Sequence, residues 1–327
     1  MKRSAKPEGK FNVVIEEVPI PEPGPEQVRI RSVTSLISRG SEIGARYTRE
    51  HAVNPESMGY SLAGVVDAVG AEVTHLRPGD RVVSLAPHAE YVVRDAVYAR
   101  PDAQNQVYPI ADGVSFEQAT YWPLLAGGVT WVDIEELARD DLVVVVGQGL
   151  VGSLIMQVQK LNGTGTIVAI DTLDLRCEMA AKLGADVVIN AAKEDAVAAV
   201  RRLSNGVGAD TVVYAVGGSA GPKAFGPAMD MVARGGTLHL VGLYEDQPLP
   251  LTSGAAQGRR IIGGYYRRGP DAASARRGMD LLASGQVAPE RMTTHRYPFE
   301  QVADAFDLLY NRIGETLGVV LEFDYRG

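Results

Sequence analysis

The sequence contains a single cysteine, Cys177, among 327 residues and carries no excess of positive charge. One thiol excludes a disulfide framework and a zinc site built from several thiolates. The formal net charge of −8 argues against nucleic acid or an anionic membrane surface as the main partner. Residues 1–10 are basic, but the apolar region of a signal peptide does not follow them, so we expect a cytoplasmic protein.

Long apolar runs are also scarce. Residues 142–159 carry no charge over eighteen positions, but three glycines, three glutamines and a serine interrupt them. A bilayer-spanning helix needs about 20 predominantly apolar residues. The run therefore predicts a strand, a turn and a buried helix, and no membrane partner is expected.

The first 110 residues contain short β-type runs separated by proline and glycine. These predicted strands are residues 12–18, 28–35, 61–69, 81–85 and 90–93. Residues 19–25 hold four prolines and cannot form a helix. This part of the chain is predicted to form a β-rich lobe.

In the middle of the chain, predicted strands alternate with segments of helical periodicity. The strands are 142–146, 166–170, 186–189, 211–215 and 237–243, and the helices are 150–161, 173–183, 194–203 and 224–232. Strands that are apolar on both faces belong in a parallel sheet covered by helices. The alternation is typical of an α/β, doubly wound parallel sheet.

The C-terminal part is predicted to contain helices at residues 272–283 and 299–311 and a last strand at 316–323. No helix is predicted after this strand. We therefore expect it to rejoin the N-terminal β-rich lobe, which would make that lobe discontinuous in sequence.

A Gly-x-Gly-x-x-Gly motif, Gly147, Gly149 and Gly152, follows an apolar strand and opens a helix that begins with Leu150 and Val151. The first glycine permits a tight turn, the second lets a pyrophosphate approach the backbone, and the third lets helix and strand pack closely. The N-terminus of the helix supplies N–H groups and a positive dipole end to the phosphates. This context predicts a dinucleotide site.

Asp171 ends the next predicted strand, at the offset of about 20 residues that is typical of a ribose-binding acid. A carboxylate there accepts hydrogen bonds from the ribose hydroxyls and repels a 2′-phosphate. The predicted cofactor is therefore NAD rather than NADP. The alternative is that residues 147–152 form only a turn and that Asp171 is only a solvated strand end.

These residues resemble the medium-chain dehydrogenase/reductase superfamily, which includes the alcohol dehydrogenases and quinone reductases. The resemblance covers nearly the whole chain. It includes the segments 23–28, 40–42, 59–66, 73–82, 90–93, 182–186 and 298–300 as well as the glycine motif.

The resemblance implies a GroES-like catalytic domain at residues 1–125 and 267–327 and a Rossmann domain at 126–266, with an active-site cleft between them. It implies a homodimer that pairs the Rossmann sheets through residues 260–266. It also implies further cofactor contacts, from Thr130, Arg176, Ala215, Val216, Val241, Gly242 and Leu243. Packing at strand ends is the alternative for these residues.

The sequence departs from the zinc-dependent members of the superfamily at the ligand positions. Arg39 stands where they have a cysteine, Tyr60 and Ser61 stand where they have His-Glu, and Ala126, four residues before Thr130, replaces the third ligand. A catalytic zinc needs about three protein ligands that donate through N, S or carboxylate O. The chain therefore resembles a zinc-independent member, and no metal is predicted.

Without zinc, other groups must stabilise charge on a substrate oxygen during hydride transfer. Tyr60, Ser41 and Arg39 are the candidate catalytic residues by position. The alternatives are packing for Tyr60 and a surface ion pair with Glu42 for Arg39. His88 and His51 are possible acid–base groups, although structural or surface roles are favoured because no carboxylate partner is fixed by spacing.

The leading functional hypothesis is a zinc-independent NAD(H) oxidoreductase that interconverts a secondary alcohol and a ketone. Polyols, cyclitols, sugars and secondary-metabolite intermediates are candidate substrates. Two alternatives remain open, namely NAD(P)H-dependent reduction of a conjugated C=C or iminium bond, and nucleotide binding without turnover.

Overall fold

A computed structural model describes residues 1–96, 107–263 and 272–325. The chain divides into two compact units. The first comprises Met1–Ala126 with Arg268–Gly327, and the second comprises Gly127–Arg267. The first boundary lies inside a helix, so the chain passes from one unit to the next without a linker loop.

The first unit is rich in β-strands, as its proline- and glycine-punctuated sequence predicts. Its N-terminal part contains β1 (Lys2–Ala5), β2 (Val14–Glu17), β3 (Gln27–Leu36), a π-helix (Arg39–Tyr47), β4 (Ser61–Val69), β5 (Arg81–Ser84), β6 (Tyr91–Asp95), β7 (Val107–Pro109) and α1 (Phe116–Thr120). The next helix, α2 (Trp122–Asp133), begins in the first unit and ends in the second. The sequence patterns predicted five strands in this part and missed β1, β7, the π-helix, α1 and α2.

The second unit alternates strands and helices. It contains β8 (Leu142–Val146), α3 (Leu150–Leu161), β9 (Thr166–Asp171), α4 (Asp174–Lys182), β10 (Val187–Asn190), α5 (Ala196–Leu203), β11 (Ala209–Tyr214), α6 (Gly221–Met231), β12 (Val232–Leu240), α7 (Ser253–Ala256) and β13 (Arg260–Gly263). The chain then returns to the first unit with α8 (Ala272–Ala283), β14 (Thr293–Pro298), α9 (Val302–Asn311) and β15 (Gly318–Glu322).

In the first unit the described strands form a two-stranded sheet, β1–β2, and a larger sheet in the order β14-β15-β3-β4-β5-β7, with β6 also paired to β3. The last strand, β15, lies antiparallel to β3, and Val320 faces Leu36 in the register. The expectation that the final strand rejoins the N-terminal lobe is therefore confirmed.

In the second unit the described strands form one parallel sheet in the order β10-β9-β8-β11-β12-β13. Numbered within the unit, this is the doubly wound order 3-2-1-4-5-6. The central strand β8 is buried on both faces, with Val143, Val144 and Val145 fully inaccessible. The strand order reverses between β8 and β11, and ligands bind at such a switch point in sheets of this type.

Two sequence predictions in this unit are wrong at their boundaries. The strand predicted at 237–243 is β12, which begins at Val232 and ends at Leu240. Gly235, with a φ of +85°, lies inside the strand at an irregularity rather than in a turn before it. The helix predicted at 224–232 is α6, which begins at Gly221, because a proline in the first helical turn is compatible with a helix.

Over the described ranges, no helix combines the length and apolar character that crossing a bilayer requires.

Candidate functional site

The glycine motif forms the turn between β8 and α3, and each glycine has a distinct steric reason. Gly147 has a φ of +95°, and a Cβ there would lie 2.8 Å from Val216 Cγ2. A Cβ on Gly152 would lie 1.9 Å from the carbonyl oxygen of Gly147. At Gly149, by contrast, a Cβ would meet no atom within 4 Å. The first and third glycines are required by the fold, whereas the second leaves open space at the N-terminus of α3.

Asp171 ends β9 and is held against the glycine turn. Its Oδ2 accepts a hydrogen bond of 2.8 Å from the backbone N–H of Gln148, between two of the glycines. Its Oδ1 accepts bonds of 2.7 and 3.0 Å from the N–H groups of Thr172 and Leu173. The carboxylate is largely buried, and these donors fix its orientation. Oδ1 therefore has both lone pairs in use, whereas Oδ2 retains one for a ligand hydroxyl.

Two side chains of α4 border Asp171. The Nη1 of Arg176 lies 3.6 Å from Asp171 Oδ2, and its Nε is buried with no hydrogen-bond partner among the described residues. Cys177 is buried, and burial together with the negative charge of Asp171 raises the pKa of its thiol. The arrangement thus offers a guanidinium donor to a ligand, next to a thiol that stays protonated at neutral pH.

The loops after β11 and β12 pack against each other at the same end of the sheet. The N–H groups of Val241 and Gly242 both donate to the Tyr214 carbonyl, at 2.9 and 2.8 Å. A Cβ on Gly242 would lie 2.3 Å from Val216 O, and one on Gly217 would lie 2.1 Å from Leu243 O. Side chains are thereby excluded where the two backbones meet.

The predicted cofactor residues therefore fall into three groups. The structure brings the glycine turn, Ala215 and Val216 together, because the Cβ of Ala215 lies 3.3 Å from the Cβ position of Gly152. Val241, Gly242 and Leu243 adjoin Val216 through the second loop. Leu150 and Val151 are the first residues of α3, and Thr130 lies half-buried in α2.

The three candidate catalytic residues lie on two segments of the first unit. Arg39 and Ser41 are in the first turn of the π-helix, and Tyr60 immediately precedes β4. All three are half-buried. Arg39 donates from Nη1 to the carbonyl of Leu309 in α9.

Glu42 is the clearest correction to the sequence interpretation. It was expected to be a possible surface partner of Arg39, but its side chain is completely buried. Its Oε1 lies 2.8 Å from His88 Nε2, and its Oε2 accepts a 2.7 Å bond from the N–H of Ser38. His88 therefore has the carboxylate partner that spacing did not reveal. The missed signal is a buried helical face at i, i+1 and i+5, formed by Glu42, Ile43 and Tyr47.

The residues present do not fit a catalytic zinc. The side chains at the three expected ligand positions are those of Arg39, Tyr60 and Ala126, which do not supply the imidazole, thiolate or carboxylate donors of such a site. Within the ranges that the structure describes, no group of three or more His, Cys, Asp and Glu side chains could hold a metal. We therefore derive no step through a metal ion.

Comparison with known proteins agrees with this architecture. Residues 24–115 match the family model of the alcohol dehydrogenase GroES-like domain, and residues 151–284 match that of the zinc-binding dehydrogenases. An alcohol dehydrogenase of Geobacillus stearothermophilus is 32% identical over 295 residues, which cover 81% of this chain and 82% of that protein. The chain belongs to the medium-chain dehydrogenase/reductase superfamily.

Other relatives of this medium-chain dehydrogenase/reductase cover more of the chain. The sorbitol dehydrogenase of Bacillus subtilis is 28% identical over 338 residues, 94% of each chain. The structure of the alcohol dehydrogenase TADH from Thermus sp. ATN1 has a TM-score of 0.83 and 27% identity, and it covers 99% of this chain and 100% of its own. The protein is therefore an oxidoreductase with a GroES-like and a Rossmann-like part, and its family supports a nicotinamide cofactor.

Proposed function

We propose that this medium-chain dehydrogenase/reductase interconverts a secondary alcohol and a ketone with NAD(H) and without zinc. Polyols, cyclitols, sugars and secondary-metabolite intermediates are the proposed substrate class. Relatives named alcohol and sorbitol dehydrogenase support the alcohol–ketone chemistry. The chemistry of the side chains at the ligand positions supports the zinc-independent mechanism.

The observation that carries the choice of NAD is the position of Asp171. Its carboxylate lies against the glycine turn, oriented by three backbone N–H groups. An adenosine ribose hydroxyl can donate to the remaining lone pair of Oδ2, whereas a 2′-phosphate would bring a second negative charge within contact distance of the carboxylate. Arg176, whose Nη1 lies 3.6 Å from Asp171 Oδ2, is proposed to contact the adenine or the ribose.

During ketone reduction the residues of the first unit must stabilise negative charge on the substrate oxygen and deliver a proton to it. The nicotinamide, when bound, supplies the hydride. Tyr60 is the proposed hydrogen-bond donor to the carbonyl oxygen, and Ser41 is the proposed proton relay. Arg39 contributes positive charge, because a guanidinium stays protonated at any physiological pH. In the direction of oxidation the hydroxyl proton leaves by the reverse path, through the hydroxyls of Tyr60 and Ser41 to solvent, while Arg39 contributes only its charge.

The cofactor assignment is tested by the substitution Asp171→Ser. We expect the ratio of kcat/KM for NADH over NADPH to fall about 100-fold, since charge-assisted hydrogen bonds contribute about 1.5–3 kcal/mol and the repulsion of phosphate is lost. The matched control is Asp174→Asn, a neighbouring acid on α4 that is exposed and pairs with Lys193. An unchanged ratio in Asp171→Ser would show that the assignment to NAD is wrong.

The reaction is tested by product analysis with butanone, a hexulose, an inosose and cyclohex-2-enone as probes, each with NADH. An alcohol product supports ketone reduction, whereas a saturated ketone from the enone indicates C=C reduction. Cofactor binding without turnover of any probe indicates a non-catalytic relative. Metal analysis of the purified protein is expected to find well below one zinc per chain, and stoichiometric zinc whose removal abolishes turnover would contradict the proposal.

The catalytic role of Tyr60 is tested by Tyr60→Phe. The expected result is a fall in kcat of about 100-fold with an unchanged dissociation constant for NADH, because general acid catalysis contributes 10²–10⁴-fold. Full activity would remove Tyr60 from the mechanism.

A homodimer and a cytoplasmic location complete the proposal. Among the described strands, β13 is at the edge of the parallel sheet, where another copy can add strands. Residues 264–266 of the proposed dimer segment lie outside the described residues. The single, buried cysteine agrees with a reducing compartment. Sedimentation velocity of the purified protein tests the dimer.

A further inference from the structure

A buried polar cluster in the first unit is not used by the proposed reaction. It consists of Ser35, Glu42 and His88, each inaccessible to solvent. Ser35 Oγ lies 2.8 Å from His88 Nδ1, and His88 Nε2 lies 2.8 Å from Glu42 Oε1. Both nitrogens of the ring are therefore occupied. Because neither His88 nor Glu42 reaches the surface, the cluster cannot touch a substrate.

The side chain of His88 is connected to the π-helix that carries Ser41. Glu42 Oε1 is the hydrogen-bond partner of His88 Nε2, and Glu42 Oε2 accepts a bond of 2.7 Å from the backbone N–H of Ser38. The backbone N–H of Glu42 also donates to Ser38 O at 2.8 Å. Ser41 lies between these two residues, so the carboxylate closes the helical turn in which Ser41 is found.

The backbone of His88 is connected to the segment that carries Tyr60. Its N–H donates to the carbonyl of Met58 at 2.7 Å. Gly59 has a φ of +147°, and a Cβ there would lie 2.4 Å from Pro87 Cα and 2.6 Å from His88 N. The chain before Tyr60 is therefore pressed against the residues around His88, and only glycine fits at position 59 without displacing the backbone.

We propose that His88 is a positioning residue that fixes the segment of Ser41 relative to the segment of Tyr60. It acts on the first through Glu42 and on the second through Met58 and Gly59. This inference rests on the proposed function, in which Ser41 and Tyr60 act on the substrate oxygen. A residue that holds one catalytic segment through its side chain and the other through its backbone affects kcat, because a displacement of about 1 Å can cost about 100-fold in rate.

The test compares His88→Leu with His239→Leu. His239 forms a similar buried pair in the second unit, where its Nδ1 lies 2.7 Å from Glu135 Oε1. Both substitutions remove a completely buried imidazole and leave a buried carboxylate. The probe is NADH with whichever ketone of the panel is turned over fastest. We expect kcat to fall about 10-fold or more in His88→Leu. We expect kcat per folded molecule to stay within about twofold of wild type in His239→Leu, because among the described residues its side-chain hydrogen bond is to Glu135, which lies in neither segment.

A second measurement does not depend on activity. Hydrogen–deuterium exchange of peptides that cover residues 38–47 and 58–62 is expected to accelerate in His88→Leu and to stay unchanged in His239→Leu. If His88→Leu does not fold, Ser35→Ala removes only the hydroxyl on Nδ1 and is expected to lower kcat about threefold. The inference would be overturned by a wild-type kcat in His88→Leu, or in Ser35→Ala where that variant replaces it. Unchanged hydrogen exchange in both 38–47 and 58–62 would also overturn it.

The positioning role can be separated from the catalytic roles with Ser41→Ala and Tyr60→Phe. If these variants are slow and His88→Leu is slower than His239→Leu, both proposals are supported. If they are slow but the two leucine variants have equal kcat, only the positioning role fails. If both are fully active, the catalytic roles fail, and loss of kcat in His88→Leu would then need another origin. In the double variant His88→Leu/Ser41→Ala, we expect effects smaller than additive.

Discussion

Asp171 and Glu42 are both buried carboxylates beside a segment with a proposed role in the reaction, but they are held in different ways. Asp171 accepts from the N–H groups of the two residues that follow it and from Gln148, 23 residues away. Glu42 accepts from Ser38 and from His88, 46 residues away. The first carboxylate is placed by a local strand–turn–helix unit, whereas the second depends on the packing of the whole first unit.

This difference determines which changes should damage each site. Around Asp171, steric changes in the glycine turn should matter most because backbone geometry builds the site. Around Glu42, loss of a distant side chain should matter most. The buried pair of Glu135 and His239 lies in the second unit, whereas the proposed catalytic segments lie in the first. It is the control for the effect of breaking a buried carboxylate–histidine pair as such.

The largest effect is expected for Gly152→Ala. The new Cβ would lie 1.9 Å from Gly147 O, so the turn must move. We expect about 3 kcal/mol of lost unfolding free energy, from the overpacking, and a loss of NADH affinity of about 100-fold. Urea unfolding and the fluorescence of bound NADH measure the two effects.

Gly149→Ala is the matched control for the turn. A Cβ at position 149 meets open space, so the unfolding free energy should change by less than about 1 kcal/mol. NADH affinity should still fall about 10-fold, because a pyrophosphate approaches the backbone here. Unchanged NADH affinity in Gly149→Ala would show that the pyrophosphate does not approach the backbone at this part of the turn.

The second-largest effect is expected for Glu135→Gln in the reference pair. The two carboxylate oxygens of Glu135 accept hydrogen bonds from His239 Nδ1 and from Gln159 Nε2, both at 2.7 Å. A glutamine has one amide oxygen that can accept, so it can replace only one of these two acceptors. We expect about 2 kcal/mol of lost stability, since a buried donor is left unsatisfied. Urea unfolding measures this loss, and kcat per folded molecule should remain that of wild type. A fall in kcat would show that burial alone affects the reaction and would weaken the contrast with Glu42.

Much of the second unit could be predicted from the sequence because its signals are local. The bounds of β8 and α3 agree with prediction, since a run of valines ends at a glycine that only a turn accommodates and helical periodicity starts immediately after it. β12 was harder, because Gly235 and Gly236 indicate a turn while the strand continues through them. β12 pairs with β11 at Val232 and again from Thr237, so this non-local ladder continues the strand across an irregularity at the two glycines.

The candidate site divides in the same way. Spacing predicted the proximity of Asp171 to the glycine turn, because a strand–helix–strand unit has nearly fixed dimensions. Spacing could not predict that Glu42 pairs with His88, since their contact depends on how two separate loops pack. The sequence also contains nothing local to show that His239 and Glu135 meet, 104 residues apart. Long-range polar contacts of buried side chains are therefore the part that only the structure provides.

A smaller effect is expected for Arg176→Leu, which removes the cation beside Asp171. This variant tests whether Arg176 supports the fold beside its carboxylate, as His88 is proposed to do beside Glu42, or contacts the cofactor. The guanidinium lies 3.6 Å from the carboxylate, which already has three N–H donors, so the fold should tolerate the change. We expect NADH affinity to fall about fivefold, because one cation contact to the cofactor is lost. Titration of NADH fluorescence measures this affinity. If the variant lost folding stability but kept its NADH affinity, Arg176 would have a structural role like that proposed for His88.

The smallest effect is expected for Asp186, a partly exposed carboxylate that contrasts with both buried ones. Burial acts to raise its pKa, but the hydrogen bonds from Lys160 and from the N–H of Ile167, with the charge of Lys160, outweigh burial and lower it. A folded-state pKa below the unfolded value of about 3.9 means that the contribution to stability is present above that pH and is lost as the pH falls through the folded-state pKa. Solvent screening limits this contribution to less than about 1 kcal/mol. In Asp186→Asn the melting temperature should therefore depend less steeply on pH below 4, with Lys160→Met giving part of the same change. An acid limb identical to that of wild type would show that the pair of Asp186 and Lys160 contributes nothing to stability.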